Sequence, residues 1–365
     1  MSTPPVHLQS LHSDKHSMRL SLCILFAFCL GLAWPGPAAA QPAPPDPERM
    51  VACYISMGCW DLELVEQQFS ELSASGVDFV IDYALFWSEQ PQERQAFDAY
   101  MASARRHGIS IGYCLFSLLD GATPRANSRQ IDTLLAQVEI LRHESQIGAW
   151  YVHDEILPML SGVDGTERYS LSLVQMRELY RRIHELDPGR PQLCVWNQLP
   201  DHAEMQRRFG QRYFPHGYPD WMNSADEFEA AMQSMLRDCC DWVLVDCYPY
   251  GAPWLPAEQS MQDLEAEVSR LVSRAAELRG DGQPLLFVYQ SFDWCVYGRG
   301  ENSAGFPGAA RMRAMLAAAF AAGADNAVAY SWFDLVRPLE HVEQEEQREA
   351  LAELKLILRE LQARH

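Results

Sequence analysis

Two adjacent carboxyl groups end the run Ile147-Gly-Ala-Trp-Tyr-Val-His-Asp-Glu155, directly after His153. The apolar stretch before them, rich in Val, Tyr and Trp, reads as a buried strand. A carboxylic acid at the lip of such a strand is half-desolvated, which favours its protonated form and suits it to donate a proton. Glu155 is therefore the leading candidate general acid. Side chains alternate along a strand, so regular pairing would turn Asp154 away from Glu155, as a substrate-hydroxyl ligand or a loop anchor. His153 would share the side of Glu155 and reads as a packed histidine.

Acid catalysis on an acetal needs a second carboxyl group. Asp246, at the end of the run Asp241–Cys247, is the leading partner, as base for an attacking water or as a stabiliser of a cationic intermediate. Asp82, Asp293 and Asp334 compete for that role from other strand ends. Asp334 also suits a loop cap.

These residues need a scaffold, and the chain repeats one two-part unit. Strand-like runs cover 51–56, 77–83, 109–116, 147–153, 192–196, 241–247, 285–290 and 326–332. Amphipathic helical stretches lie near 61–75, 93–107, 128–144, 168–186, 226–238, 260–279, 308–322 and 343–362. Ser75-Gly76, His107-Gly108 and Asp187-Pro-Gly189 punctuate helix ends. Nearly continuous apolar strands are what burial on both faces of a parallel sheet requires. The predicted fold is α/β, a single (β/α)8 barrel over 50–365 with long loops after its strands.

Working residues of such a barrel stand at strand C-termini. Read in order, those ends offer Asp82, Tyr83 and Trp87, then Phe116, then Asp154 and Glu155, then Asn197 and Gln198. Asp246, Tyr248 and Tyr250 follow, then Gln290, Asp293 and Trp294, and finally Tyr330, Trp332 and Asp334. Tyr213, Phe214, Tyr218, Trp221 and Trp254 add aromatic groups in the loops. Aromatics, amides and carboxylates with few Lys or Arg suit a sugar, whose C–H faces stack on rings while its hydroxyls need paired hydrogen bonds. Phosphorylated substrates would want an anion cradle, and none is evident. Tyr83, Trp87, Asn197, Tyr248, Gln290 and Trp332 are the predicted substrate contacts, with Asp82, Asp154 and Asp334 beside them.

Trp150-Tyr-Val-His-Asp-Glu155, Asp187-Pro-Gly-Arg-Pro191, Asp246-Cys-Tyr-Pro249 and Tyr330-Ser-Trp332 together resemble the secreted (β/α)8 glycoside hydrolase superfamily. The likeness runs from the fourth strand to the eighth, and each motif is short. In the large retaining clan of those enzymes the acid/base Glu ends the fourth strand after an Asn, and a nucleophilic Glu ends the seventh. The resemblance puts Glu155 at the first position, with Asp154 where the Asn would be. Gln290 stands where the nucleophile is expected, and a neutral amide cannot form a glycosyl ester. Three readings follow: a glycosidase using Glu155 and Asp246, a barrel that binds glycan without turnover, and a barrel hydrolase of another class. The last lacks the His-x-His that a metal-dependent barrel carries on its first strand.

The N-terminus reads as an export signal over 1–40. Arg19 precedes an apolar segment, Leu20 to Trp34, and an A-x-A pattern ends at Ala40. A Pro-rich tether covers 41–49. The expected location is secreted or periplasmic, with no membrane association after cleavage. The net charge of −20 argues against nucleic acid or anionic lipid as a partner, and leaves a carbohydrate substrate compatible. Of the ten cysteines, Cys53, Cys114, Cys194 and Cys247 fall in strands and read as buried thiols. No C-x-x-C spacing appears, and neither a metal nor a cofactor is expected.

Overall fold

The computed structural model describes residues 44–59, 61–119, 128–154, 173–197, 199–213, 224–252, 260–297, 304–337 and 342–365. Eight parallel strands close into a barrel in sequence order: β1 (Ala52–Ile55), β2 (Phe79–Asp82), β3 (Ser110–Cys114), β4 (Ile147–His153), β5 (Gln192–Trp196), β6 (Trp242–Cys247), β7 (Leu285–Gln290) and β8 (Asn326–Tyr330). β8 pairs with β1 through Ala52↔Val328 and Cys53↔Ala329, which removes any free sheet edge. The predicted (β/α)8 barrel is the observed one.

Helices α1 (Leu62–Ala74), α2 (Pro91–Arg106), α3 (Ser128–Leu141) and α4 (Leu173–Leu186) follow the first four strands. After β5 come two, α5 (His202–Tyr213) and α6 (Ala225–Asp238). Then follow α7 (Met261–Leu278), α8 (Ala309–Ala321), the short α9 (Phe333–Val336) and α10 (Gln344–Arg364). Their starts obey ordinary capping chemistry. Asp61 accepts from Leu64 N at the start of α1, and Ser260 with Asp263 forms a reciprocal capping box on α7.

The hydrophobic core has two layers, set by strand alternation. Ala52, Tyr54, Ile81, Tyr151, Leu193, Trp242, Leu244, Leu286, Val288 and Val328 fill the barrel interior. Their sequence neighbours, such as Cys53, Val80, Trp150, Cys194, Val243 and Tyr289, pack outward against the helices. Cys53, Cys114, Cys194 and Cys247 are buried thiols distributed between these layers.

On the face opposite the mouth, the segment from Pro44 to Met50 lies against the barrel. The buried Asn326 amide donates to Pro47 O at 3.0 Å and Met50 O at 2.7 Å. A Cβ at Gly148 would run into Ser110 Oγ and Pro45. The Asp187-Pro-Gly-Arg-Pro191 motif also works on this face. Arg190 pairs with Asp187 at 2.5 Å and donates to the carbonyls of Arg142, Glu144 and Ile147, all at 2.6–2.7 Å. Trp150 Nε1 donates to the same aspartate at 3.1 Å. That motif is a clamp between the α3–β4 and α4–β5 connections, far from the strand C-termini.

Candidate active site at the barrel mouth

The mouth is floored by tyrosines. Tyr54 of β1 stacks on Tyr83 after β2, with ring centroids 5.2 Å apart and planes at 24°. Tyr330 at the end of β8 lies 5.1 Å from Tyr54 and 5.2 Å from Tyr248, which follows β6. Tyr151 of β4 meets Phe116 edge-on at 5.1 Å, and Phe292 after β7 closes on Tyr248 at the same distance. Seven aromatic rings contributed from β1, β2, β3, β4, β6, β7 and β8 thus converge in one layer. The half-buried Tyr83, Tyr248 and Tyr330 form its upper surface.

Two carboxylates face this layer. Asp246 follows Trp242 and Leu244 in inward alternation along β6, and is 3% exposed. Asp154 arrives by a different route. The pairing of β4 with β5 runs Tyr151↔Leu193 and then His153↔Cys194, so Val152 is an extra residue in the ladder. Val152 and the partner Cys194 both belong to the outer layer, which sets His153 outward with them. The bulge restores Asp154 to the inner side, where its Oδ1 accepts from the Tyr151 hydroxyl at 2.5 Å. The condition of regular pairing, on which the expectation of Asp154 on the side opposite Glu155 rests, fails here.

Burial pushes the Tyr54 phenol far above its ordinary range, with the charge of Asp154 and, more weakly, that of Asp246 adding to it. Burial and the Asp154 charge do the same to Tyr83 and Tyr151. These phenols keep their protons.

Other predicted site residues are engaged elsewhere. Asp82 is wholly buried and accepts from Met57 N at 3.1 Å, Gly58 N at 3.0 Å, Ala84 N at 2.9 Å and the Tyr100 hydroxyl at 2.7 Å. It ties the loop after β1 to the end of β2. Burial lifts its carboxyl above the ordinary range against the pull of those donors. Asp334 is held by the Ser331 hydroxyl at 2.5 Å, the Tyr297 hydroxyl at 2.9 Å and Arg337 at 2.9 Å, an anchor for the turn after β8. Trp332 is no sugar platform. It is fully buried in the outer layer, donates to Gln68 Oε1 at 2.6 Å, and carries Lys355 over its ring. Its sequence position after β8 suggested the mouth, but the alternation carries the ring outward.

Gln290 is completely buried at the end of β7. Its Oε1 accepts from Tyr250 N at 3.0 Å, and its Nε2 donates to Tyr250 O at 2.9 Å and Phe292 O at 3.0 Å. The amide braces the loop after β6 instead of facing solvent. Trp87 packs partly buried against the outer layer, and Asn197 stands half-buried after β5. Glu155, Gln198, Phe214, Tyr218, Trp221 and Trp254 lie outside the described residues, as does the side chain of Tyr213. Sequence reading passed over Tyr54, a mid-strand residue with no special neighbours. Only its inward parity and the clustering of tyrosines on other strands could have signalled it.

Among the described residues, no cluster of three or more His, Cys, Asp or Glu side chains is placed to hold a metal ion. No helix among them is long and apolar enough to cross a membrane.

The fold and its inward carboxylates define a (β/α)8 barrel with an acidic, tyrosine-floored mouth. Solved structures with this barrel include glycoside hydrolases. An endo-1,4-beta-D-mannanase from Thermotoga petrophila superposes with a TM-score of 0.54 at 14% identity, over 87% of this chain and 100% of that one. The GH5_18 protein from Bifidobacterium longum gives a TM-score of 0.58 at 12% identity, over 87% and 79%. A putative alpha-L-fucosidase from Bacteroides thetaiotaomicron gives 0.52 at 13% identity, over 92% and 99%. At such identities the likeness is one of fold. No protein-family model and no curated protein sequence matches the chain.

Proposed function

We propose that the protein is a secreted glycoside hydrolase acting on a poly- or oligosaccharide. The observation that carries this reading is the inward placement of Asp154 and Asp246 beside an aromatic mouth. Rings that can stack on sugar C–H faces and carboxylates that can take hydroxyl protons are there together. The barrel's likeness to solved glycoside hydrolases is compatible with it. Glu155, next in sequence to Asp154, is the general acid toward the glycosidic oxygen. Asp246 is the base that activates water, or the group that stabilises a positively charged intermediate. Export with cleavage after Ala40 belongs to the same proposal.

The buried Gln290 amide supports a second reading, a barrel that binds glycan without cleaving it, because a seventh-strand nucleophile is missing. Reducing-end release from a panel of polysaccharides and aryl glycosides, wild type beside Glu155→Gln, decides between them. Turnover lost in the variant, with glycan binding kept, is the expected result. Binding without turnover in the wild type supports the second reading, and equal turnover in both proteins removes Glu155 from the mechanism.

A further inference from the structure

The bulge in β4 puts Tyr151 and Asp154 side by side in the mouth, and the hydroxyls around them form a directed chain. Tyr151 has no exposed surface, and its hydroxyl donates to Asp154 Oδ1 at 2.5 Å. With its one proton committed there, Tyr151 can only accept from its neighbours. The Tyr54 hydroxyl donates to it over a long 3.4 Å, and the Tyr83 hydroxyl lies 3.5 Å away. Each donation polarises the next, so the chain ends in a strengthened donor aimed at one carboxylate oxygen.

We propose that Tyr151 is a positioning residue, which holds Asp154 ionised and aimed into the mouth as a hydrogen-bond acceptor for a hydroxyl of the bound sugar. This rests on the glycosidase reading for its substrate, though not for the arrangement of the two side chains. A donor to a carboxylate favours the ionised form, while the buried phenols keep their own protons. Tyr151 is therefore excluded as a phenolate nucleophile. The bulge gives the arrangement its logic. With regular pairing Asp154 would fall on the outer side, and Tyr151 would have no carboxylate to bind. The titratable groups that feel the Asp154 charge include Tyr54 of β1, Tyr83 after β2, Cys114 of β3 and Tyr151 of β4, with Asp246 of β6 also acting on Tyr54. The Tyr151 hydroxyl donates directly to the carboxylate, and such a donor favours the charged form.

The test is a pH titration of protein carrying 13C-labelled aspartate carboxyls, with the Asp154 signal assigned by its loss in Asp154→Asn. Tyr151→Phe is expected to raise the Asp154 midpoint by about one pH unit. Tyr54→Phe, which leaves the direct bond in place, should raise it by less. On any glycan the enzyme turns over, the acidic limb of kcat/KM should move by the same amounts. An unchanged midpoint in Tyr151→Phe overturns the proposal and leaves Tyr151 a packing residue. Should that variant fail to fold, an unmoved midpoint in Tyr54→Phe overturns it instead. A shifted midpoint in a protein that cleaves no glycan would uphold the positioning role and refute the glycosidase reading.

Discussion

Gln290 holds both polar atoms of the Tyr250 backbone, accepting from its N–H at 3.0 Å and donating to its carbonyl at 2.9 Å. Only an amide can do both, because a carboxylate has no proton to give. The residue that stands where a nucleophile would be expected is thus built into the support of the loop after β6. Its chemistry is that of a brace.

Gln290→Glu should therefore fail to create a retaining enzyme. The new carboxylate would face the carbonyls of Tyr250 and Phe292 with no proton to share, at a cost of roughly 2 kcal/mol or more. Thermal denaturation should show a lower Tm by several degrees. A fluorinated glycoside should leave no label on position 290 in either protein, as mapped by mass spectrometry. A stable variant that becomes labelled there would refute the brace.

Asp82 and Asp246 look alike in sequence, each an acid at a strand's C-terminal end, but Asp82 is bound by four donors, while the proposed function makes Asp246 a catalytic group. Asp82→Asn removes an acceptor from a site with four donors, so stability should fall by about 1–3 kcal/mol. Asp246→Asn keeps the size of an inward side chain while removing its charge. Turnover should fall by about 10²–10⁴-fold with glycan affinity largely retained. Denaturation and steady-state kinetics on both variants check the contrast, and a swap of the two phenotypes would reassign the acids.

Arg190→Met should unfold the protein at lower denaturant while sparing the mouth. The guanidinium satisfies three backbone carbonyls and the buried Asp187, and removing it leaves that carboxylate without its cation. A loss of about 3–5 kcal/mol is the usual consequence. KM should not move, since the clamp lies at the opposite end of the barrel. A changed KM at unchanged stability would contradict that assignment.

Continuous apolar strands between amphipathic helices made the barrel legible, because burial on both faces leaves few alternatives. The additional helix α5 escaped because His202–Tyr213 is polar, with Met205 as a buried anchor. Which strand-end residues face inward was only partly legible. Asp246 follows simple alternation, whereas Asp154 depends on one extra residue in the β4 ladder, which no side-chain pattern announces. Trp332 illustrates the opposite failure, since an aromatic after a strand looks the same whether it caps the mouth or fills the outer layer.

His153 sits beside that bulge, wholly buried, with neither ring nitrogen hydrogen-bonded. Burial alone drives its pKa down to about 3, so the folded protein holds it neutral while the unfolded chain protonates it near its ordinary value of 6.5. Below that value the unfolded state binds more protons than the folded one. Stability from this group is thus fully present above about pH 6.5 and falls as the pH drops toward 3, by roughly 1.4 kcal/mol per unit. From pH 6.5 to pH 5 the loss should reach about 2 kcal/mol. His153→Leu, which titrates nowhere in this range, should lose that much less over the same interval. Urea denaturation of both proteins at the two pH values measures the difference directly. Parallel losses in wild type and variant would mean that His153 is protonated in the fold after all.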